Sequence, residues 1–202
     1  MVVATRETTV EITRHRFTAD DYQLMGEAGI FHPNARVELI EGEIIEMFPI
    51  GAGHIGCIGL TNMELTRQLQ TQAIVFVQCP IRIADDGEPQ PDLLIVRKEY
   101  DRTMPPTPAD TFLLIEVSEN SLRFDRTIKL PLYAAAGIPE SWIFDMKTAR
   151  IERHTEPRPG GYATIKSAGA REELASTTLP GLTISVDEVL GLPPTTLSRS
   201  GQ

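Results

Sequence analysis

Residues 91–117, PDLLIVRKEYDRTMPPTPADTFLLIEV, decide the fold of this chain of 202 residues. The stretch holds two apolar runs, at residues 93–96 and 112–115, and each fits a strand that is buried on both faces. Three prolines lie between residues 105 and 108. Because proline inside a helix is costly, a helical crossover is not expected, and the two strands are predicted to pair antiparallel.

Acidic residues stand at the two strand ends that this pairing brings together. Asp92 begins the first predicted strand and Glu116 ends the second. Two neighbouring carboxylates repel each other, and one becomes protonated unless a cation joins them. Mg²⁺ prefers oxygen ligands of this kind, and Mn²⁺ suits the same ligands. Asp92 and Glu116 are therefore predicted to be metal ligands.

Lys129 lies on the helix that is predicted to follow Glu116, over about residues 122–136 with Gly137 at its end. A short connection keeps this helix beside its strand, so the ammonium can reach the same end of the sheet. There it would stabilise the negative charge that develops during attack on a phosphate. Two alternatives stay open, a structural ion pair with the buried Glu116 and a surface pair with Asp125.

The other elements are predicted from caps, turns and periodicity. Pro131 indicates that the helix restarts near residue 127 or 128, which would place Lys129 at a helix beginning. A strand at residues 142–144 after this helix implies a parallel pairing with the strand that ends at Glu116. The remaining predictions are a helix opened by Thr18-Ala-Asp-Asp21, a hairpin at 37–48 turning at Glu41-Gly42, a helix at 54–71 with Ile55, Ile58, Leu65 and Leu69 on one face, a covered strand or strand pair at 73–83, a hairpin at 149–166 and a last helix capped by Ser185.

This order predicts a mixed α/β (α+β) sheet with an αβββαβ core and β-hairpins added at both ends. Residues 17–192 are expected to form one domain, residues 1–16 an N-terminal extension or strand, and residues 193–202 a disordered tail.

The composition is that of an ordinary soluble protein, with 41% hydrophobic and 23% charged residues. The apolar runs are far shorter than the ~20 residues that span a bilayer, and no signal peptide is recognisable, so a cytoplasmic protein without a membrane partner is expected. Cys57 and Cys79 are too few for a disulfide framework. A net charge of −9 argues against a large nucleic-acid footprint but leaves room for a local basic groove.

Four further residues are secondary candidates. Glu38 would complete the metal site, although a solvated or paired glutamate fits its hairpin position nearly as well. Gln90 would position a water or a phosphate, or it is a turn residue. His54 is interpreted as a capping or surface residue rather than a proton-transfer group, and Tyr133 either orients Lys129 or simply packs.

Four motifs resemble the Uma2 family, also called DUF820, over about residues 17–155. They are Glu38-Leu-Ile-Glu-Gly42, Glu88-Pro-Gln-Pro-Asp92, Ile115-Glu-Val-Ser118 and Lys129-Leu-Pro-Leu-Tyr133-Ala-Ala-Ala-Gly137-Ile-Pro-Glu-Ser-Trp142. The family is regarded as a branch of the PD-(D/E)xK restriction-endonuclease-like superfamily. The resemblance implies a restriction-endonuclease-like fold and an Mg²⁺-dependent endonuclease, with Asp92 and Glu116 as the motif acids. The superfamily's lysine position, two residues after the acid, is Ser118 here, and the resemblance places the lysine at Lys129 instead.

Three functions follow as hypotheses. The leading one is metal-dependent hydrolysis of DNA by Asp92, Glu116, Lys129 and Glu38, in a homodimer by analogy with enzymes that cut both strands of a duplex. The second is a nuclease-fold protein without catalysis, acting in binding or regulation, which the net acidity favours. The third is a hydrolase that uses paired carboxylates on sugars, without a metal and without a role for Lys129.

Overall fold

The computed structural model describes residues 13–192, which are built around a six-stranded sheet. The chain begins with helix α1 and a separate two-stranded hairpin, β1 and β2, and then enters helix α2. The bounds of these elements are α1 (Ala19–Glu27), β1 (Val37–Ile40), β2 (Glu43–Glu46) and α2 (Ala52–Leu69). The sheet itself comprises β3 (Ala73–Val77), β4 (Leu93–Arg97), β5 (Thr111–Ser118), β6 (Glu140–Asp145), β7 (Arg150–Arg158) and β8 (Gly161–Ala168).

The pairing of the central strands agrees with the sequence prediction. Strands β4 and β5 are antiparallel, joined by a segment whose one regular piece is a short 3-10 helix, Pro108–Asp110. Strand β5 then pairs parallel with β6 after the intervening helix. The order α2, three strands, helix and β6 is the predicted αβββαβ core of a mixed sheet.

Each face of the sheet has its own hydrophobic cluster, because alternate residues of a strand point to opposite faces. Leu93 and Ile95 of β4 belong to the cluster beneath α2. Leu94 and Val96 belong to the other cluster, together with Tyr133 of the helix after β5. The middle strands are therefore covered on both sides, which explains their continuous apolar runs.

Two expectations for α2 and β3 are wrong. Ile55 is 56% exposed and does not share the buried face, which instead includes His54, Cys57 and Ile58. Strand β3 pairs only with β4 in the described sheet and so lies at its edge rather than in a covered centre. Strand β3 is apolar because α2 packs on one of its faces and other side chains pack on the opposite face. An edge strand can therefore be as apolar as a central one.

The helix after β5 contains a π-turn that the sequence does not predict. It consists of α3 (Leu122–Phe124), the π-turn (Asp125–Lys129) and α4 (Leu130–Ala135), and the backbone stays helical throughout. The amide of Leu130 donates to the carbonyl of Asp125, five residues back. Pro131, which has no amide to donate, follows this wider turn in the first turn of α4. The expected restart near residue 127 or 128 is therefore wrong, since the backbone stays helical there and α4 begins at Leu130.

The C-terminal part extends the sheet further than expected. The predicted hairpin is β7 and β8, with Pro159-Gly160 at its turn, and it continues the central sheet. A second small hairpin pairs β9 (Glu173–Ala175) with β10 (Thr183–Ser185), and its short strands carry no clear alternation in the sequence. Ser185 precedes the last helix, α5 (Val186–Val189), as predicted, but its side chain makes no capping hydrogen bond.

The predictions for the chain termini fall only partly on residues that the structure describes. Residues 13–16 have no regular secondary structure, while residues 1–12 and the tail 193–202 lie outside the described residues. Across residues 13–192, no helix is both long and apolar enough to cross a membrane. Both cysteines are free.

Candidate active site

The two motif acids are neighbours at one end of the sheet. The antiparallel register pairs Leu94 with Leu114 and Leu93 with Ile115, so Asp92 and Glu116 follow next along the two strands. The Oδ2 atom of Asp92 accepts a hydrogen bond of 2.8 Å from the amide of Val117. Both carboxylates are almost completely buried. Strand pairing alone therefore brings them together, as the sequence predicts.

Lys129 joins this pair and links it to the hairpin. Its ammonium lies 3.2 Å from Oε1 of Glu116 and 2.9 Å from Oε2 of Glu38. The hydroxyl of Tyr133 donates to the same Oε1 of Glu116 at 2.6 Å. All four side chains are buried. Lys129 thus bridges two carboxylates and does not form the surface pair with Asp125 that the sequence offered as an alternative.

Glu38 reaches the site because the β1–β2 hairpin packs against the segment of residues 88–92, which leads into β4. Leu39 of β1 and Glu88 form an isolated antiparallel bridge, which aligns the hairpin with residues 88–92. The amide of Gln90 donates to Oε2 of Glu38 at 3.1 Å. The side chain of Gln90 points the other way, toward the carbonyl of Gln78. Glu38 is therefore a buried, paired residue, and Gln90 contributes its backbone to holding it.

His54 belongs to the site, which corrects the interpretation of a capping or surface residue. It lies in the first turn of α2, is buried, and its Nε2 is 3.0 Å from Oδ1 of Asp92. The helix is capped at Gly51 instead. The spacing of isoleucines and leucines predicted a buried face that includes Ile55. In the structure the helix turns His54 and not Ile55 toward the sheet, so the sequence pattern did not indicate the inward orientation of His54.

Asp125 is a further buried acid at the site whose place the sequence did not reveal. Its Oδ2 accepts hydrogen bonds from the hydroxyls of Ser118 at 2.7 Å and Ser121 at 2.6 Å. Ser118, at the position where the resemblance would place the superfamily's usual lysine, thus contacts Asp125 instead. Asp125 and Lys129, at the two ends of the π-turn, are both buried. Their spacing of four residues places them on one side of the helix, but the sequence did not show that this side faces the site.

Burial and charge shape the protonation of the cluster. Burial raises the pKa of Glu116 well above its usual range, and the carboxylates of Asp125, Asp92 and Glu38 add to this, while Lys129 opposes it. Burial would lower the pKa of Lys129, but Glu116 and Glu38 outweigh it and raise the pKa above its ordinary value. Lys129 is therefore a permanent positive charge in a region with an excess of acids.

These residues line a narrow cleft with a cavity of about 40 Å³, room for an ion or a few waters. Across residues 13–192, no three His, Cys, Asp or Glu side chains are grouped so as to hold a metal ion together. Asp92 and Glu116 still provide two carboxylates, and Mg²⁺ commonly binds through one or two carboxylates while it keeps several waters. Because Lys129 and Tyr133 both donate to Oε1 of Glu116, the Oε2 atom is left for such an ion. The donor set fits Mg²⁺ or Mn²⁺.

Comparison with known proteins identifies the family of the chain and supports its fold. A family model described as "Uma2: Putative restriction endonuclease" matches residues 19–187. Among solved structures, a crystal structure of "a putative nuclease belonging to DUF820" from Anabaena variabilis is similar, with a TM-score of 0.67 at 12% identity, covering 87% of this chain and 98% of that chain. At this identity the likeness shows the fold alone, and it confirms the predicted nuclease-like fold. No curated protein matches the chain.

Proposed function

The chain belongs to the Uma2 family, and from that premise we propose that it is a metal-dependent endonuclease that hydrolyses phosphodiester bonds of DNA. The observation that carries the proposal is the buried pair of Asp92 and Glu116 at one end of the sheet, with Lys129 in contact with Glu116. The family supports a nuclease, and the acids at the cleft support the use of a cation. The substrate, the metal and the residue roles are parts of the proposal.

Asp92 and Glu116 would hold the metal, Mg²⁺ with Mn²⁺ as a substitute. When bound, the ion supplies Lewis acidity toward water and phosphate. The chain's part is to keep both carboxylates in place before the ion arrives. His54 and the amide of Val117 fix the two oxygens of Asp92, and Tyr133 fixes Glu116. Neighbours of this kind orient metal ligands and tune their affinity.

Lys129 would act as a fixed positive charge toward the phosphate. Because its pKa is raised above the ordinary value by Glu116 and Glu38 despite burial, it stays protonated and is unsuited to accept a proton from water. Its role is therefore to stabilise negative charge in the transition state. Glu38 positions the ammonium, and the Gln90 amide positions Glu38.

Nicking of supercoiled plasmid DNA tests this function. Purified protein with Mg²⁺ or Mn²⁺ is expected to nick the plasmid, EDTA is expected to stop the reaction, and Asp92→Ala is expected to abolish it. Glu99→Ala, which removes an exposed carboxylate from another part of the molecule, should cleave like the wild type. Robust cleavage by an Asp92→Ala/Glu116→Ala double variant, purified free of contaminating nuclease, would disprove the proposal.

One observation favours a second function, a nuclease fold that binds or regulates without catalysis. Lys129 contacts Glu38 and Glu116 together, so part of the buried negative charge is balanced without any metal. Titration calorimetry distinguishes the two functions. Absence of Mg²⁺ and Mn²⁺ binding together with absence of plasmid cleavage would support the second one. The sugar-hydrolase hypothesis gains nothing from the family match.

A homodimer and a cytoplasmic location complete the proposal. Cutting both strands of a duplex usually needs two sites, and size-exclusion chromatography with light scattering at several protein concentrations would reveal the dimer. Cell fractionation would test the location.

A further inference from the structure

The entrance of the cleft is lined by apolar side chains and not by a group of Lys and Arg side chains. Met47, Phe48 and Ile50 come from the loop between β2 and α2, and Phe124 comes from the end of α3. Phe48 is 46% exposed and Ile50 is 37% exposed. The rings of Phe48 and Phe124 lie 6.0 Å apart at an angle of 59°. Single exposed apolar residues are common, but here they converge on one opening.

The loop that carries Phe48 is held in place. Arg36 donates from Nη1 to the carbonyl of Phe48 at 3.1 Å, and the amide of Met47 donates to the carbonyl of Arg36 at 2.9 Å. The Phe124 ring supports the Phe48 ring from one side. Phe48 is thus presented as a fixed flat surface, which lowers the entropy that a ligand must overcome on binding.

The charges around the cleft disfavour a duplex as the bound form. Of the described residues that line it, Arg36 and Lys129 are the Lys and Arg side chains, and Lys129 is already paired with Glu38 and Glu116. The whole chain carries a net charge of −9. Non-specific duplex binding depends on many Lys and Arg contacts to phosphates. Stacking of a base on an aromatic ring needs no such charge and works with any base.

We propose that this entrance binds an unpaired nucleotide of DNA, whose base stacks on Phe48 while Arg36 faces its phosphate. The preferred substrate is then single-stranded or locally unpaired DNA, and relaxed duplex binds more weakly at this entrance. This inference rests on the proposed function, since it concerns the DNA at the same cleft. A supercoiled plasmid, which unpairs locally, remains a suitable substrate.

Fluorescence anisotropy tests the inference separately from cleavage. The probe is a labelled mixed-sequence DNA strand of about 16 nucleotides, the upper end of the site size for single-strand-binding domains, and a hairpin duplex of the same sequence serves for comparison. Binding is measured with Ca²⁺ in place of Mg²⁺. The wild type is expected to bind the single strand more tightly than the duplex. Phe48→Ala is expected to weaken single-strand binding roughly 5- to 150-fold and to leave duplex binding unchanged.

Two further variants make the result specific. Phe48→Trp keeps an aromatic surface and is expected to retain single-strand binding. Ile165→Ala, which removes an exposed apolar side chain from β8, is expected to bind like the wild type. The inference is overturned by a duplex that binds as tightly as the single strand, by Phe48→Ala binding like the wild type, or by a wild type that binds neither probe.

The two proposals can fail independently. Phe48-dependent binding of single strands without plasmid cleavage in Mg²⁺ would remove the hydrolytic function and leave this inference standing. Plasmid cleavage without a single-strand preference would do the reverse.

Discussion

Lys129 is the residue on which the organisation of the cluster depends. Its ammonium is buried between Glu38 and Glu116. Removal of one partner from a buried ion pair leaves an uncompensated charge, which costs more than the pair itself contributes. The two carboxylates would then repel each other and take up protons.

We expect Lys129→Met to lower the free energy of unfolding by about 3–5 kcal/mol. Urea unfolding followed by circular dichroism measures this loss. Lys147→Met, at an exposed position, is the matched control and should change stability by less than about 0.5 kcal/mol. A loss below about 1 kcal/mol for Lys129→Met, within the range of exposed pairs, would contradict the account.

His54 is predicted to hold Asp92 ready for the metal. Its Nε2 is 3.0 Å from Oδ1 of Asp92. We expect His54→Ala to weaken Mn²⁺ binding roughly 10- to 100-fold, as loss of a ligand's hydrogen-bond partner usually does. His54→Gln places an amide nitrogen at similar reach and should recover part of the affinity. Titration calorimetry measures both, and equal affinity in all three proteins would show that His54 only packs.

At the scale of elements, the hairpin of β1 and β2 determines where Glu38 lies. The pairing of Ile40 with Glu43 leaves a two-residue turn, in which Glu41 and Gly42 both have positive φ. Glycine adopts φ +73° without strain. A Cβ atom at Gly42 would lie 2.6 Å from Cβ of Arg16, so the backbones are also closely packed there.

Gly42→Ala is expected to destabilise the protein by about 1–2 kcal/mol, because a non-glycine residue is strained in the left-handed region. Thermal unfolding measures the change. Gly26→Ala in α1 is the control, since nothing lies within 4 Å of its added Cβ, and it should stabilise the helix by about 0.5–1 kcal/mol. Equal stability of the two variants would mean that the turn does not need glycine.

The same elements show what the sequence could and could not predict. The apolar runs of β4 and β5 and the prolines between them were sufficient to place Asp92 beside Glu116, because strand direction determines which ends meet. The π-turn was not predictable, because hydrophobic periodicity assumes an ordinary helical repeat. The contact of Lys129 with Glu38 depends on packing between elements that are distant in sequence, and no local pattern encodes it. The hydrogen bonds that Asp125 accepts from Ser118 and Ser121 are local in sequence, but no periodic pattern marks them.

At the scale of the whole molecule, net acidity limits how the protein can bind DNA. The chain has a net charge of −9. Among the Lys and Arg side chains of the described cleft residues, Lys129 is already in ion pairs and Arg36 is left to contact phosphates, so few phosphates can be neutralised. The logarithm of the binding constant for single strands falls with the logarithm of salt concentration by about 0.7 per phosphate contact. We expect a slope no steeper than about −2, measured by anisotropy over a salt series. A slope steeper than about −5, which implies many contacts, would contradict this expectation and reveal a basic DNA-binding surface outside the cleft.

The fold as a whole is shared with a nuclease-like structure at 12% identity. A shared fold at this identity requires a similar pattern of buried apolar residues and the same strand order, and many different sequences meet these requirements. Beyond the family match, the assignment of a function rests on the few polar residues at the end of the sheet. These are Glu38, His54, Asp92, Glu116, Lys129 and Tyr133.

The proposed function requires that Asp92 and Glu116 share a divalent cation. Anomalous diffraction from a crystal grown with Mn²⁺ tests it most directly. We expect one strong anomalous peak between the two carboxylates, at roughly 2.0–2.3 Å from an oxygen of each. A structure at saturating Mn²⁺ with no anomalous peak between the two carboxylates would contradict it.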